Sequence, residues 1–186
     1  MLYQFMRDMW DVLRLRYKNP EEYRYSLPVN LAVLLLIGIV NAAASVPLLG
    51  KSTPLIVFAV LLTVLKCVIL SRTMSAALRH QNAPRQPFWG FVLVTESLAI
   101  PLLLLFYVPS LASIGVFWQI WIFWVQIIGF MNISKQRGGK VVLGYLMYAL
   151  ITLIAGTLLI TVFAQAGWLD LQELSQQFEN VMNSNR

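Results

Sequence analysis

From Ser110 to Ala166 the chain reads SLASIGVFWQIWIFWVQIIGFMNI, then SKQRGGK, then VVLGYLMYALITLIAGTLLITVFAQA. Two apolar runs flank seven residues that carry three positive charges. A hydrocarbon layer of about 30 Å takes roughly 20 apolar residues to cross as a helix. Both runs reach that length, and backbone groups in lipid must bond within their own segment. The stretch therefore predicts a membrane-spanning helical hairpin with a basic turn, and the rest of the chain has to be compatible with it.

Composition agrees. Hydrophobic residues make up 59% and charged ones 12%, with a mean hydropathy of +0.70. Soluble domains stand near half apolar and about a quarter charged. The net charge of +6 is spread among the segments between apolar runs, the pattern of topology signals and not of a nucleic-acid surface. The single cysteine, Cys67, rules out an internal disulfide, and the single histidine, His80, leaves no histidine cluster for a metal. No signal peptide is expected, because the first apolar run follows a long charged segment. Ala42–Ala43–Ala44 imitates a cleavage site without the preceding features of one.

In chain order, Met1 to Lys18 has a helical period. Leu2, Phe5, Met6, Met9, Trp10, Val12, Leu13 and Tyr17 fall on one side, and Gln4, Arg7, Asp8, Asp11, Arg14 and Lys18 on the other. Asn19–Pro20 should end it. Such a helix either lies flat at the membrane interface or packs under the protein's own bundle. The expected spans are 27–49, 54–71 (with a possible extension to Leu78), 88–108, 110–133 and 140–166. Gly38 and Ala42 form a small pair where another helix can approach. Pro54 suits the first turn of the second span. Pro101 deprives the Ser97 carbonyl of its donor and predicts a kink. Gln81 to Pro87 reads as a loop and Tyr107–Ser110 as a tight turn. Residues 167–186 read as a second, acidic amphipathic helix with Trp168, Leu171, Leu174, Phe178 and Val181 on one stripe. The fold class is thus all-α and membrane-integral: a cytoplasmic segment over 1–26, a five-helix domain over 27–166, and an external helix over 167–186.

Lysine and arginine counts orient it. Eleven fall in the N-terminal segment, the second-to-third loop and the basic turn, against two, Lys51 and Arg186, on the other side, with Lys66 inside a span. The N-terminus is expected in the cytoplasm and the C-terminus outside, in an inner-membrane-type location.

Ionisable residues inside a span mark candidate sites. Lys66 and Glu96 lie about 9 and 12 Å from the cytoplasmic ends of their spans, and Gln126 about 10 Å. Thr63 and Thr95 fall near that level, and Asn41 with Gln119 about 21 Å deep. Lys66 and Glu96 therefore form a candidate polar pair, and Asn41, Gln119 and Gln126 a candidate polar cavity. The pair either fixes helix register, or opens a route to the cytoplasm, or leaves Lys66 free to snorkel toward the headgroups. Trp118, Trp121 and Trp124, with Phe117 and Phe123, sit mid-span, away from the usual interfacial belt, as bulky packing between helices or as a lipid or quinone groove. Gly138–Gly139–Lys140 fails as a phosphate loop, since Ser134 and Val141 stand where Gly and Ser or Thr are needed. Lys135, Arg137 and Lys140 form a basic turn suited to lipid phosphates or an acidic partner. No nucleophile elbow, catalytic carboxylate pair or metal-ligand spacing appears, so no enzyme activity and no cofactor are expected.

The stretch Trp118 to Gly144, chiefly Trp121, Gly129, Ser134, Lys135 and Lys140, together with Trp10 and Pro20, resembles the YIP (Ypt-interacting-protein) domain family. That resemblance implies a five-span fold and, in eukaryotic members, vesicle traffic and recruitment of a Rab-type GTPase. The family's Gly-Pro-Leu element is absent; Val46–Pro47–Leu48–Leu49–Gly50 stands nearest to it. From the residues themselves, the expected role is that of an organiser or accessory subunit contacting membrane lipids and a membrane-protein partner or a second copy. The alternatives are a small transporter or lipid carrier using Lys66, Glu96 and Gln126, or a trafficking factor that recruits a GTPase through Arg14, Arg16 and Lys18.

Overall fold

The computed structural model describes residues 1–49, 53–79, 87–103 and 112–168. These residues are all-helical, with no strand among them. The α-helices are α1 (Leu2–Leu13), α2 (Leu27–Leu49), α3 (Thr53–Ala77), α4 (Trp89–Ser97), α5 (Ala112–Ser134) and α6 (Gly138–Gln165). Among the described residues, α2, α3, α5 and α6 are long and apolar enough to cross a membrane. The turns around Gly50 and Tyr107–Ser110, the loop with His80 and Arg85, and nearly all of the expected C-terminal helix lie outside the described residues.

The third apolar run breaks where Pro101 predicts a kink. Regular α-helix ends at Ser97, four residues before Pro101, and helix resumes at Leu102, while 104–108 lie outside the described residues. After Ser97 the amides of Leu98, Ala99, Ile100, Leu102 and Leu103 each bond three residues back. Pro101 explains the pattern. With no N–H it cannot serve the Ser97 carbonyl, so the chain tightens and Ile100 serves it instead. In the tightened register Pro101 would have served Leu98, whose carbonyl is left over. Trp118 on α5 takes that place, its Nε1–H donating to the Leu98 carbonyl at 2.9 Å. The kink is thus bonded in place by a neighbour's indole.

α4 lies at the centre, packed by α1, α2, α3 and α5. Gly90 through Thr95 are all buried, as is Ser97. A helix apolar on every side is stable only if covered on every side. Phe91 anchors a group of edge-on rings, with Tyr17 at 6.1 Å, Tyr23 at 5.7 Å and Phe130 at 5.1 Å. α2 and α3 approach closely where Gly38 faces Val60; a Cβ there would stand 3.0 Å from Val60 Cγ1. α6 packs chiefly along α3, with Gly144 against Met74 and Phe163 edge-on to Phe58 at 5.5 Å.

α1 stops at Leu13, earlier than Asn19–Pro20 predicts. Leu15 adopts a left-handed φ of 61°. The amides of Leu15 and Arg16 then close back onto the Val12 and Asp11 carbonyls, a C-terminal lock that glycine usually provides. The reversal brings the following residues under the bundle. Tyr17 donates its hydroxyl to the Val125 carbonyl of α5 at 2.8 Å, and Pro20 and Tyr23 are buried. Gly90 and Gly129 make room, since a Cβ on Gly90 would overlap the Tyr23 carbonyl and one on Gly129 would overlap Phe91.

The basic turn is not made by its glycines, since Gly138 and Gly139 both belong to the first turn of α6. Lys135 makes the reversal with φ 54°, while Ser134 donates to the Phe130 carbonyl and accepts from the Gln136 amide at 3.3 Å. A hydroxyl that satisfies these helix-end groups makes a flexible glycine unnecessary.

Candidate functional site

Two features outside the apolar packing carry chemistry: a buried lock beneath the bundle and a polar layer within it.

The lock is centred on Asp8, which is 1% exposed. Its Oδ1 meets Lys18 Nζ at 2.5 Å and its Oδ2 accepts from the Tyr25 hydroxyl at 2.7 Å. Asp11 lies 3.7 Å from the same ammonium. A buried carboxylate needs such partners to remain in a low-dielectric site. Phe5 stacks edge-on to Tyr25 at 5.0 Å, closing the group. α1 therefore has two apolar faces. Phe5 and Val12 are buried toward α4 and α5, while Leu2, Tyr3, Met6 and Trp10 are exposed on the outer side. Arg14 lies over the Trp10 ring at 4.5 Å, a contact in which cation and ring support each other.

In the polar layer, Gln126 on α5 is the connector. Its Nε2 donates to Thr95 Oγ1 at 2.8 Å and to Glu96 Oε1 at 3.2 Å, and its Oε1 accepts from the Tyr145 hydroxyl at 2.6 Å. Thr95 passes its own proton to the Phe91 and Val92 carbonyls. Three helices are thereby joined in a single chain of bonds, which is how buried polar groups become tolerable in a bundle. Substituting Gln126 with Leu leaves Glu96 and Tyr145 without these bonds. The variant is expected to lose about 1–2 kcal/mol of bundle stability, measured as a lower unfolding midpoint in detergent.

Glu96 and Gln126 thus come together, with Thr95 beside them as their depths suggest. Lys66 does not join them. Among the described residues no ion-pair contact links Lys66 to Glu96, although the two charges still act on each other through space. The reason is angular: Glu96 turns toward α5, whereas Lys66 is exposed in a groove of about 510 Å³ between α3 and α6. Depth along an axis fixes the level of a side chain and leaves its direction open. Asn41 and Gln119 share a separate cavity of about 180 Å³, and Gln126 is not part of it. Thr63 belongs to that deeper level, accepting from Asn41 Nδ2 at 3.2 Å. Lys135, Arg137 and Lys140 are exposed around the α5–α6 turn. The mid-span aromatics divide: Trp118 and Trp121 are half-buried, while Phe117, Phe123 and Trp124 face outward.

The sequence reading missed Tyr145, Tyr148 and the Asp8–Lys18–Tyr25 group. Two tyrosines three residues apart in an apolar run, and one acid three residues after Phe5 and four before Val12, were the signals present.

No protein-family model matches this chain, and no match is found among curated proteins or solved structures.

Proposed function

We propose that the chain is a non-enzymatic protein of an inner-membrane type, acting through protein and lipid contacts as an organiser or accessory subunit of a membrane assembly. In this reading it crosses the membrane five times, with the N-terminus cytoplasmic and the C-terminus outside. Contacts of the third run support the odd number. Phe88 meets Phe130 near one end of α5, and Leu98 meets Trp118 nearer the other, so α4 runs opposite to α5.

The observation that carries the reading is the double face of α1. One face is fixed on the bundle through Asp8, and the other presents Leu2, Tyr3, Met6 and Trp10 outward in a set orientation. A rigidly held apolar stripe rimmed by Arg7 and Arg14 suits a partner or the headgroup region of a bilayer. The carrier alternative draws support from the exposed Lys66. Against it, the Glu96 carboxylate already takes a bond from Gln126 inside the bundle. The YIP-like layout is kept in this reading, and recruitment of a GTPase is a separate alternative, for which Arg14 and Arg16 are left because Lys18 is engaged by Asp8.

The test is to place aspartate at Met6 and Trp10 together in the full chain. Both side chains point away from the bundle, so the fold should persist. The proposal expects loss of the co-purifying partner or of cellular function with an unchanged unfolding midpoint. Full function and undiminished partner retention in that variant would count against it.

A further inference from the structure

Lys66 lies at mid-length on α3, about 16 Å along the axis from Ala77 and about 20 Å from Thr53. It is exposed, and the groove beside it between α3 and α6 has a volume of about 510 Å³. Leu62, Tyr148, Thr152 and Gly156 line that groove. Gly156 keeps its floor low, since a Cβ there would have only Leu62 Cδ1 nearby, at 3.8 Å. An ammonium facing lipid within a span with no ion-pair contact is costly, and charges in spans generally pair.

No acid of the chain makes an ion-pair contact with Lys66 among the described residues, although Glu96 acts on it through space. Of the eight acidic residues, Glu96 is the one within an apolar run, and its Oε1 is already taken by Gln126. A second copy of the chain therefore has no free carboxylate at this level. A headgroup phosphate, which Lys66 could meet only by reaching toward the cytoplasmic end of α3, is the competing source of charge, and the test separates it from a helix-borne carboxylate. We propose that the α3–α6 groove seats a transmembrane helix of a different protein, which brings an aspartate or glutamate to Lys66. This rests on the accessory-subunit reading and names the chemistry of its partner.

The full chain in nanodiscs is titrated with a synthetic leucine-rich transmembrane peptide of about 21 residues carrying one central Asp, and with the same peptide carrying Leu. Binding is read by energy transfer between dyes. Wild type should bind the Asp peptide about 10-fold more tightly than the Leu peptide. Lys66→Arg should keep the preference, and Lys66→Met, which removes a charge without disturbing packing, should abolish it. Leu153→Trp, which fills the groove, should weaken the Asp peptide in the presence of Lys66. Equal binding of the two peptides to wild type, or a preference that survives in Lys66→Met, would overturn the proposal. So would Lys66-dependent retention of an anionic lipid, seen by native mass spectrometry, with no preference for the Asp peptide. A native partner that stays bound to Lys66→Met would sink this inference while leaving the accessory-subunit reading intact. A chain with no partner at all would sink that reading instead.

Discussion

Replacing Asp8 with alanine is expected to release the N-terminal segment from the bundle. The change removes the carboxylate shared by Lys18 and Tyr25 and leaves Tyr25 without that bond and Lys18 with only the longer contact to Asp11, at a site where Asp8 itself is 1% exposed. Breaking a fully buried ion pair costs about 3–5 kcal/mol. Lys18 retains 30% side-chain exposure, so water recovers part of that, and the expected loss is about 2–3 kcal/mol. Trypsin reports it: cleavage after Arg14, Arg16 and Lys18 should accelerate while α3, α5 and α6 stay protected. The double variant Asp8→Leu with Lys18→Met should be hurt less than the single one, because it leaves no unpaired charge.

The same group makes the docking alkali-sensitive. Burial pushes Tyr17, Tyr23 and Tyr25 up, Tyr23 to about 12, and the bond to Asp8 raises Tyr25 further. Groups whose folded value lies above their unfolded value of 10.0 stabilise the fold fully below that pH and cease to do so as the pH rises through the folded value. Tryptic release should therefore begin above pH 10 and grow toward pH 12. A segment equally protected at both would contradict the lock.

Gly90→Ala is expected to have the larger effect on the centre of the molecule. The added methyl would overlap the Tyr23 carbonyl, and backbone cannot rotate aside as a side chain can. Overpacking of well-packed sites costs about 1–3 kcal/mol, and a backbone obstacle belongs at the upper end, so about 3 kcal/mol is expected. The edge-on contact of Tyr23 with Phe91 should be lost with it. Hydrogen exchange should show faster exchange across 17–25 and α4 together. Gly139→Ala is the control. Nothing stands within 4 Å of its Cβ, and alanine favours helix there, so it should leave the midpoint unchanged or raise it.

Much of the scaffold is legible from residues alone because the membrane imposes a length. The first apolar run ends where the hydropathy does, and α2 occupies the predicted Leu27–Leu49. The basic residues flanking α5 and α6 bound those helices within a few positions. Pro101 announces a break by its chemistry. The length of that break does not follow from proline alone, because it depends on Trp118 reaching the Leu98 carbonyl from another helix. Orientation is where sequence falls silent. Helices apolar all round carry no periodic signal saying which side faces which neighbour, so Lys66 and Glu96 could be placed at one level without revealing that they face different helices. The lock escaped for a related reason. Asp8 shares the face of Phe5 and Val12 by its i+3 and i+4 spacing, but its partners are not visible from α1 alone, because only the left-handed turn at Leu15 carries Lys18 and Tyr25 back to it.

The most direct test is native mass spectrometry of the chain extracted from its own membranes in lipid nanodiscs. The expected species is heavier than the 21.1 kDa chain by a membrane protein in fixed stoichiometry. That species should dissociate when Met6 and Trp10 carry aspartate. A chain found alone, or carrying only a small molecule or lipid, would contradict an accessory subunit and favour a carrier.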